Sequence, residues 1–248
     1  MTAHAYWYLT RGTGVVALLF VTAAVVIGII ASLRVGGGRS PRFVVAGLHR
    51  NISLVTVAFI VVHVVTTVLD AYAPISFVDA VVPFVSAYRP IWLGLGAVAF
   101  DIVLALIITS LVRVRLGLRT WRSIHWFAYA CFPIAVVHAL GTGTDAAQGW
   151  MLNLVIACIG IVVTAALVRL WQLRHERLPW AVAGTAAIVV LVIATAAWAH
   201  NGPLAPGWAK RAGTPTRLTG AGHPRIARTT SISTATTRTA ALSARSAR

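Results

Sequence analysis

Six apolar stretches, each close to the length that a membrane crossing requires, constrain this chain more than any other feature. They run roughly over Val15–Leu33, Leu48–Leu69, Ile91–Val112, Ile124–Leu140, Leu152–Leu170 and Trp180–Trp198. A helix needs about 20 apolar residues to span hydrocarbon, and within lipid the backbone must satisfy its own hydrogen bonds, which a helix does. Composition agrees: 58% of the 248 residues are hydrophobic and 10% are charged, too few to clothe a soluble domain of this size. The expected fold is an all-α integral membrane protein, a bundle of about six transmembrane helices, over residues 1–200. Residues 201–248 are expected to form a basic Ser/Thr/Ala/Arg-rich disordered tail, because Thr214 to Arg248 shows no apolar period.

The formal net charge of +16 would point to nucleic acid in a soluble protein. Here the arginines sit between the apolar runs, so the lipid bilayer explains them and no nucleic-acid partner is expected. Arg34, Arg39, Arg42 and Arg50 fall between the first two helices, and Arg113, Arg115, Arg119 and Arg122 between the third and fourth. Arg169, Arg174 and Arg177 fall between the fifth and sixth, whereas the opposite connectors hold only Arg11 and Arg89. Basic loops stay cytoplasmic, which makes this a multi-pass cell-membrane protein with both termini outside. Lys210 is the only Lys, a bias of GC-rich genomes that points to a bacterial plasma membrane. Met1 to Arg11 lacks a basic start and a cleavage site, so the first apolar run is expected to remain as a helix. The connector Tyr72 to Pro90 is mildly apolar, with a short interfacial helix expected around Ser76–Ala87. Cys131 and Cys158 lie in apolar runs with no CxxC spacing and read as small core residues.

Four of the eight histidines fall in two of these helices: His49 and His63 in the second, His125 and His138 in the fourth. At about 1.5 Å per residue each pair is separated by roughly 20 Å along its helix. Both helices run in the same direction, so His49 matches His125 in depth near the cytoplasmic face, and His63 matches His138 near the outer face. One imidazole from each helix can hold a haem iron between them, and two such sites at different depths make an electron path across lipid. Fourteen residues at about 100° return His49 and His63 to one helix face, but thirteen leave His125 and His138 about 140° apart. Pro133 lies between them and is expected to kink or retwist that helix. The plainer reading is that each imidazole is satisfied by a backbone carbonyl or a neighbouring helix. No Cys or carboxylate stands beside these histidines at metal-ligand spacing.

This spacing, with Leu48-His49-Arg50 and Trp121-Arg122-Ser123-Ile124-His125-Trp126, resembles the ferric reductase-like transmembrane domain, the family of ferric reductases, NADPH oxidases and a methionine-sulfoxide reductase haem subunit. The resemblance covers about Arg11 to Gly143. It implies a cytochrome b with two bis-His haems, their iron bound by His49, His63, His125 and His138, that passes electrons across the membrane. The chain has no nicotinamide or flavin module of its own, so a separate donor (a flavoprotein, free flavin or quinol) and an outer acceptor are the implied partners. As an enzyme it would be the electron-transfer subunit of an oxidoreductase.

Haem propionates need cationic partners. Arg50 and Arg122 lie beside the inner ligands, and Arg11 and Arg89 near the outer face. Trp126, Tyr129 and Phe132 are placed to line a haem pocket or simply to pack. Asp101 falls mid-helix, where a carboxylate either relays protons, pairs with an Arg or stays protonated beside a neighbour. A haem-free transporter or proton channel that uses the histidines and Asp101 as titrating groups is the competing function.

Overall fold

Apolar residues on all sides of a helix allow it to face lipid and neighbours alike, and the chain builds helices of this kind throughout. The computed structural model describes residues 3–33 and 42–219. Its long helices are α1 (Ala3–Ser32) and α2 (Arg42–Leu69). The short α3 (Phe77–Val81) precedes α4 (Pro90–Leu111). Two short helices, α5 (Arg113–Leu116) and α6 (Leu118–His125), lead into α7 (Ala128–Thr142). The longest element is α8 (Gly149–Asn201). Five of these segments are long and apolar enough to cross a membrane, and the described residues contain no strand.

The last segment makes two of the six crossings. A straight helix of 53 residues would be about 80 Å long, far more than a bilayer core. Arg177 breaks it with non-helical φ −145° and ψ 56°, and Pro179 follows, which has no N–H to continue the ladder. A Cβ on Gly184 would lie 2.9 Å from Leu170 Cδ2. In an unbroken helix those residues would be about 21 Å apart along the axis. The two arms therefore fold back on one another around Arg177.

Contacts between the helix ends confirm an even number of crossings. Arg11 Nε, near the start of α1, donates to Asp145 at 2.7 Å and its guanidinium also meets Thr144, both in the connector after α7. Arg89, just before α4, donates to the carbonyls of Gly141 and Thr142 at 2.9 and 3.0 Å and to Thr214 at 2.9 Å. The N-terminus of α1, the α2–α4 and α7–α8 connectors and the end of α8 thus share one face of the bundle, the Arg11 face. Arg113, Arg115 and the turn at Arg177 mark the opposite one, the Arg177 face.

Within the bundle α2 packs along α1 and α7 along α4, while α1 also meets α7 and α8. The core is assembled from Leu18 and Val21 of α1, Phe132, Val136 and Leu140 of α7, and Val155, Cys158 and Ala199 of α8. Cys131 and Cys158 are buried free thiols, as core residues would be.

Several expected boundaries move. α1 begins twelve residues before Val15, because helix extends beyond the hydrocarbon through Tyr6, Trp7 and Tyr8, an interfacial aromatic cluster. The interfacial helix stops at Val81 rather than Ala87, since Pro83 follows; Ser76 and Asp79 close its N-terminus as a capping box. The fourth crossing breaks at Trp126–Phe127, not at Pro133, which lies inside continuous α7. The compact unit runs to Pro215, beyond the boundary expected at residue 200. Trp208, on α9 (Trp208–Arg211), carries this extension: its ring lies 5.1 Å from that of Trp92, and its Nε1 donates to Gly141 O at 3.1 Å. A second unit starts at Thr216 with the single turn α10 (Thr216–Thr219). Arg34, Arg39 and the expected disordered run beyond residue 219 lie outside the described residues.

Candidate functional site

His49 and His63 project from α2, His125 ends α6 and His138 lies in α7. The structure sets His49 beside His125 and places His63 and His138 toward the other end of the bundle. The His49 and His125 ring centres are 6.2 Å apart, with ring planes at 79°. His63 and His138 both lie toward the Arg11 face: His63 sits over Gly14, three residues from Arg11, and His138 is three residues from Gly141, whose carbonyl Arg89 holds. The helices carrying the two members of each pair stand apart: α2 packs on α1 and α7 on α4, and among the described residues α2 has no comparable packing with α6 or α7.

The phase problem of the fourth crossing is eased just after His125. Phe127, Tyr129 and Ala130 donate their N–H groups to Ile124, Trp126 and Phe127, three residues back, at 3.0 Å each. Such 3₁₀ turns advance about 120° per residue instead of about 100°, which rotates His138 toward the face that bears His125.

Three of the four imidazoles are held by one repeated device. His49 Nδ1 lies 3.1 Å from Ala24 O and its ring rests over Gly28. His63 Nδ1 lies 2.9 Å from Thr10 O and its ring rests over Gly14. His138 Nδ1 lies 2.9 Å from Trp92 O and its ring rests over Gly96. Each time the acceptor is the carbonyl four residues before the glycine, so the missing side chain opens a flat seat beside that carbonyl. A Cβ would fall 3.2 Å from His49 Cε1 at Gly28 and 2.9 Å from His63 Cε1 at Gly14, and closer still to the His138 ring at Gly96. A carbonyl can only accept, so Nδ1 must carry the hydrogen and Nε2 keeps its lone pair. No hydrogen-bond partner for any of these Nε2 atoms appears among the described residues.

His125 is the exception. Its Nδ1 is buried without a partner, and the ring is held by stacking on Trp121 at 4.8 Å and 27°. Trp121 is itself fixed by donating Nε1 to Ser110 Oγ at 3.2 Å.

Such pairs suit one chemistry. Two imidazoles bound through Nε2 to opposite sides of one metal ion place their ring centres about 6 Å apart, given metal–nitrogen bonds of about 2 Å. Among the described residues no third His, Cys, Asp or Glu joins either pair, so neither can complete a four-ligand protein site. Paired axial ligands on helices held apart fit a planar macrocycle that supplies the remaining ligands itself.

Residues 13–136 match the family model described as ferric reductase like transmembrane component. That is half of the chain. The protein belongs to this family. Comparison with curated proteins and with solved structures yields no match. Within this ferric reductase-like component the matched segment includes His49, His63 and His125 and stops two residues before His138.

The other sequence candidates fall into two groups. Arg50 and Arg122 are exposed on the helices that bear His49 and His125. Arg11 and Arg89 are committed to Asp145, Thr144 and backbone carbonyls, and Arg89 is buried. Phe132 belongs to the core, whereas Trp126 and Tyr129 pair with each other at 5.3 Å and are exposed. The Asp101 carboxyl has no ion pair or hydrogen bond among the described residues.

Sequence reasoning missed Gly14, Gly28 and Gly96 and their carbonyl partners. A signal was present: Gly14 and Gly28 are fourteen residues apart, as are His49 and His63 on the antiparallel neighbour.

Proposed function

We propose that this ferric reductase-like component is a haem b electron-transfer protein that carries electrons across a bacterial plasma membrane, from a separate donor on the cytoplasmic side to an outer acceptor. The observation that carries the reading is two sets of imidazoles, one toward each end of the bundle, three of whose members have Nδ1–H committed to a carbonyl and no Nε2 partner among the described residues. Carbonyl bonding alone would satisfy a structural histidine; two sets at opposite ends with unclaimed Nε2 atoms suit a ligand held at each.

In this reading His49 and His125 hold one haem near the Arg177 face, and His63 and His138 a second near the Arg11 face. Bound haem supplies one-electron cycling between ferric and ferrous iron. The protein's part is to fix the His49, His63 and His138 planes before binding and to keep water away with the Leu18–Phe132–Val136 core. The Ala24, Thr10 and Trp92 carbonyls retain the Nδ1 protons and make those imidazoles better donors to iron. Arg50 and Arg122 are the cations available to propionates near the Arg177 face. That face, rich in arginine, is assigned to the cytoplasm, which places both termini outside. The donor there is a flavoprotein, free flavin or quinol.

The test is the colour of the purified full chain after expression in haem-replete cells. A Soret band with two haems per chain by pyridine haemochrome assay is expected. A colourless protein would favour the haem-free channel reading and overturn this one.

A further inference from the structure

The four ligand positions are unequal, and this difference reaches beyond electron transfer. His49, His63 and His138 each have a glycine seat and a carbonyl that fix the ring. His125 has neither: its Nδ1 is buried and unpartnered among the described residues, and the ring rests on the face of Trp121 with the His49 ring edge-on to it. It is also the last residue of α6, and the chain turns through 3₁₀ geometry immediately after it, whereas the other three lie within continuous helix. Outer partners of a metal-bound imidazole set its orientation and basicity, and losing one weakens metal binding by about 10–100-fold.

We infer that His125 is an exchangeable ligand, so that the haem position at the Arg177 face doubles as a binding site for small diatomic ligands such as carbon monoxide, while the position held by His63 and His138 stays closed to them. The inference rests on the haem reading above. The exchange involves no redox change: the bond from iron to His125 Nε2 breaks, a bond from ferrous iron to the ligand carbon forms, and the freed imidazole stays neutral. His49 remains as the opposite ligand, its Nδ1–H still on Ala24 O.

The experiment adds carbon monoxide to dithionite-reduced, purified full chain and follows the Soret and α bands. About half of the haem should bind carbon monoxide, with at least about tenfold higher affinity than the other half, the factor expected from a missing outer partner. Trp121→Leu, which removes the ring stacked on His125 and leaves all four imidazoles in place, should bind it in the same fraction but faster. Gly96→Ala, which pushes the His138 ring off its carbonyl, should bring in the second half. Two haems per chain with no carbon monoxide binding would overturn this inference and leave the haem reading intact. So would binding at a rate that Trp121→Leu leaves unchanged. A protein without haem would overturn both.

Discussion

At the Arg11 face, His63 and His138 both donate to backbone carbonyls, and the surrounding chain is tied shut. Arg89 holds the last carbonyls of α7, Arg11 pairs with Asp145, and Trp92, Trp198 and Trp208 cluster above Gly141. At the Arg177 face only His49 has such a partner, and Arg50, Arg113, Arg115, Arg119 and Arg122 have no ion pairs among the described residues. One end is a sealed seat and the other an accessible, positively charged one. A membrane electron carrier has use for both, since a donor must dock at the face where electrons enter.

The largest test of this contrast removes a ligand. His63→Ala or His138→Ala should each lose about half of the bound haem, because one imidazole is a poor substitute for two. The inner half should keep its spectrum. Loss of all haem from either variant would mean that the two sites are not independent.

The glycine seats come next. Ala at Gly96 should disturb its site most, Gly14 less and Gly28 least, the order in which a Cβ would approach the imidazole. Overpacking costs about 1–3 kcal/mol, and displaced outer partners weaken metal binding about 10–100-fold. Low-spin electron paramagnetic resonance signals read the ligand field directly. Gly12→Ala, with nothing within 4 Å, is the control and should leave them unchanged. Equal effects at all four glycines would refute the seat geometry.

Arg89→Leu probes the seal. It leaves the Thr142 carbonyl and Thr214 Oγ1 without their donor, while Gly141 O keeps Trp208, so the cost should be about 1–3 kcal/mol from these part-buried groups. Thermal melts should show the His63–His138 haem released first, at lower temperature than in the wild type, with the other site unmoved. A uniform shift of both sites would dissolve the distinction between the ends.

The smallest effect concerns the open end. Reduction by an acidic flavoprotein donor should slow by a few-fold between low and physiological salt, because exposed arginines attract it only within a Debye length of about 8–10 Å. Stopped-flow traces that do not depend on salt would remove the arginines from donor docking.

The contrast between the ends also marks how far the sequence could be read. Helix number and the pairing of histidines by depth follow from apolar length and the direction of α2 and the fourth crossing, which any six-helix arrangement preserves. The hairpin at Arg177 was visible as the basic connector Arg169, Arg174 and Arg177 between two apolar runs. The seats were not, because a glycine in a transmembrane helix has meaning only once its neighbour is known; Gly14 and Gly28 acquire it from the antiparallel packing of α1 on α2. The turn at Trp126–Phe127 escaped notice since no Pro or Gly marks it. Trp208 is one aromatic in a Gly- and Pro-rich stretch, and its role depends on Trp92 and Gly141, far away in the chain.

The central claim is that His49 pairs with His125 and His63 with His138. A redox titration of the wild type and the four single His→Ala proteins tests it most directly, with the two haems resolved by potential. His49→Ala and His125→Ala should perturb the same component, and His63→Ala and His138→Ala the other. A result in which His49→Ala and His138→Ala share a component, or in which all four remove the same one, would contradict it.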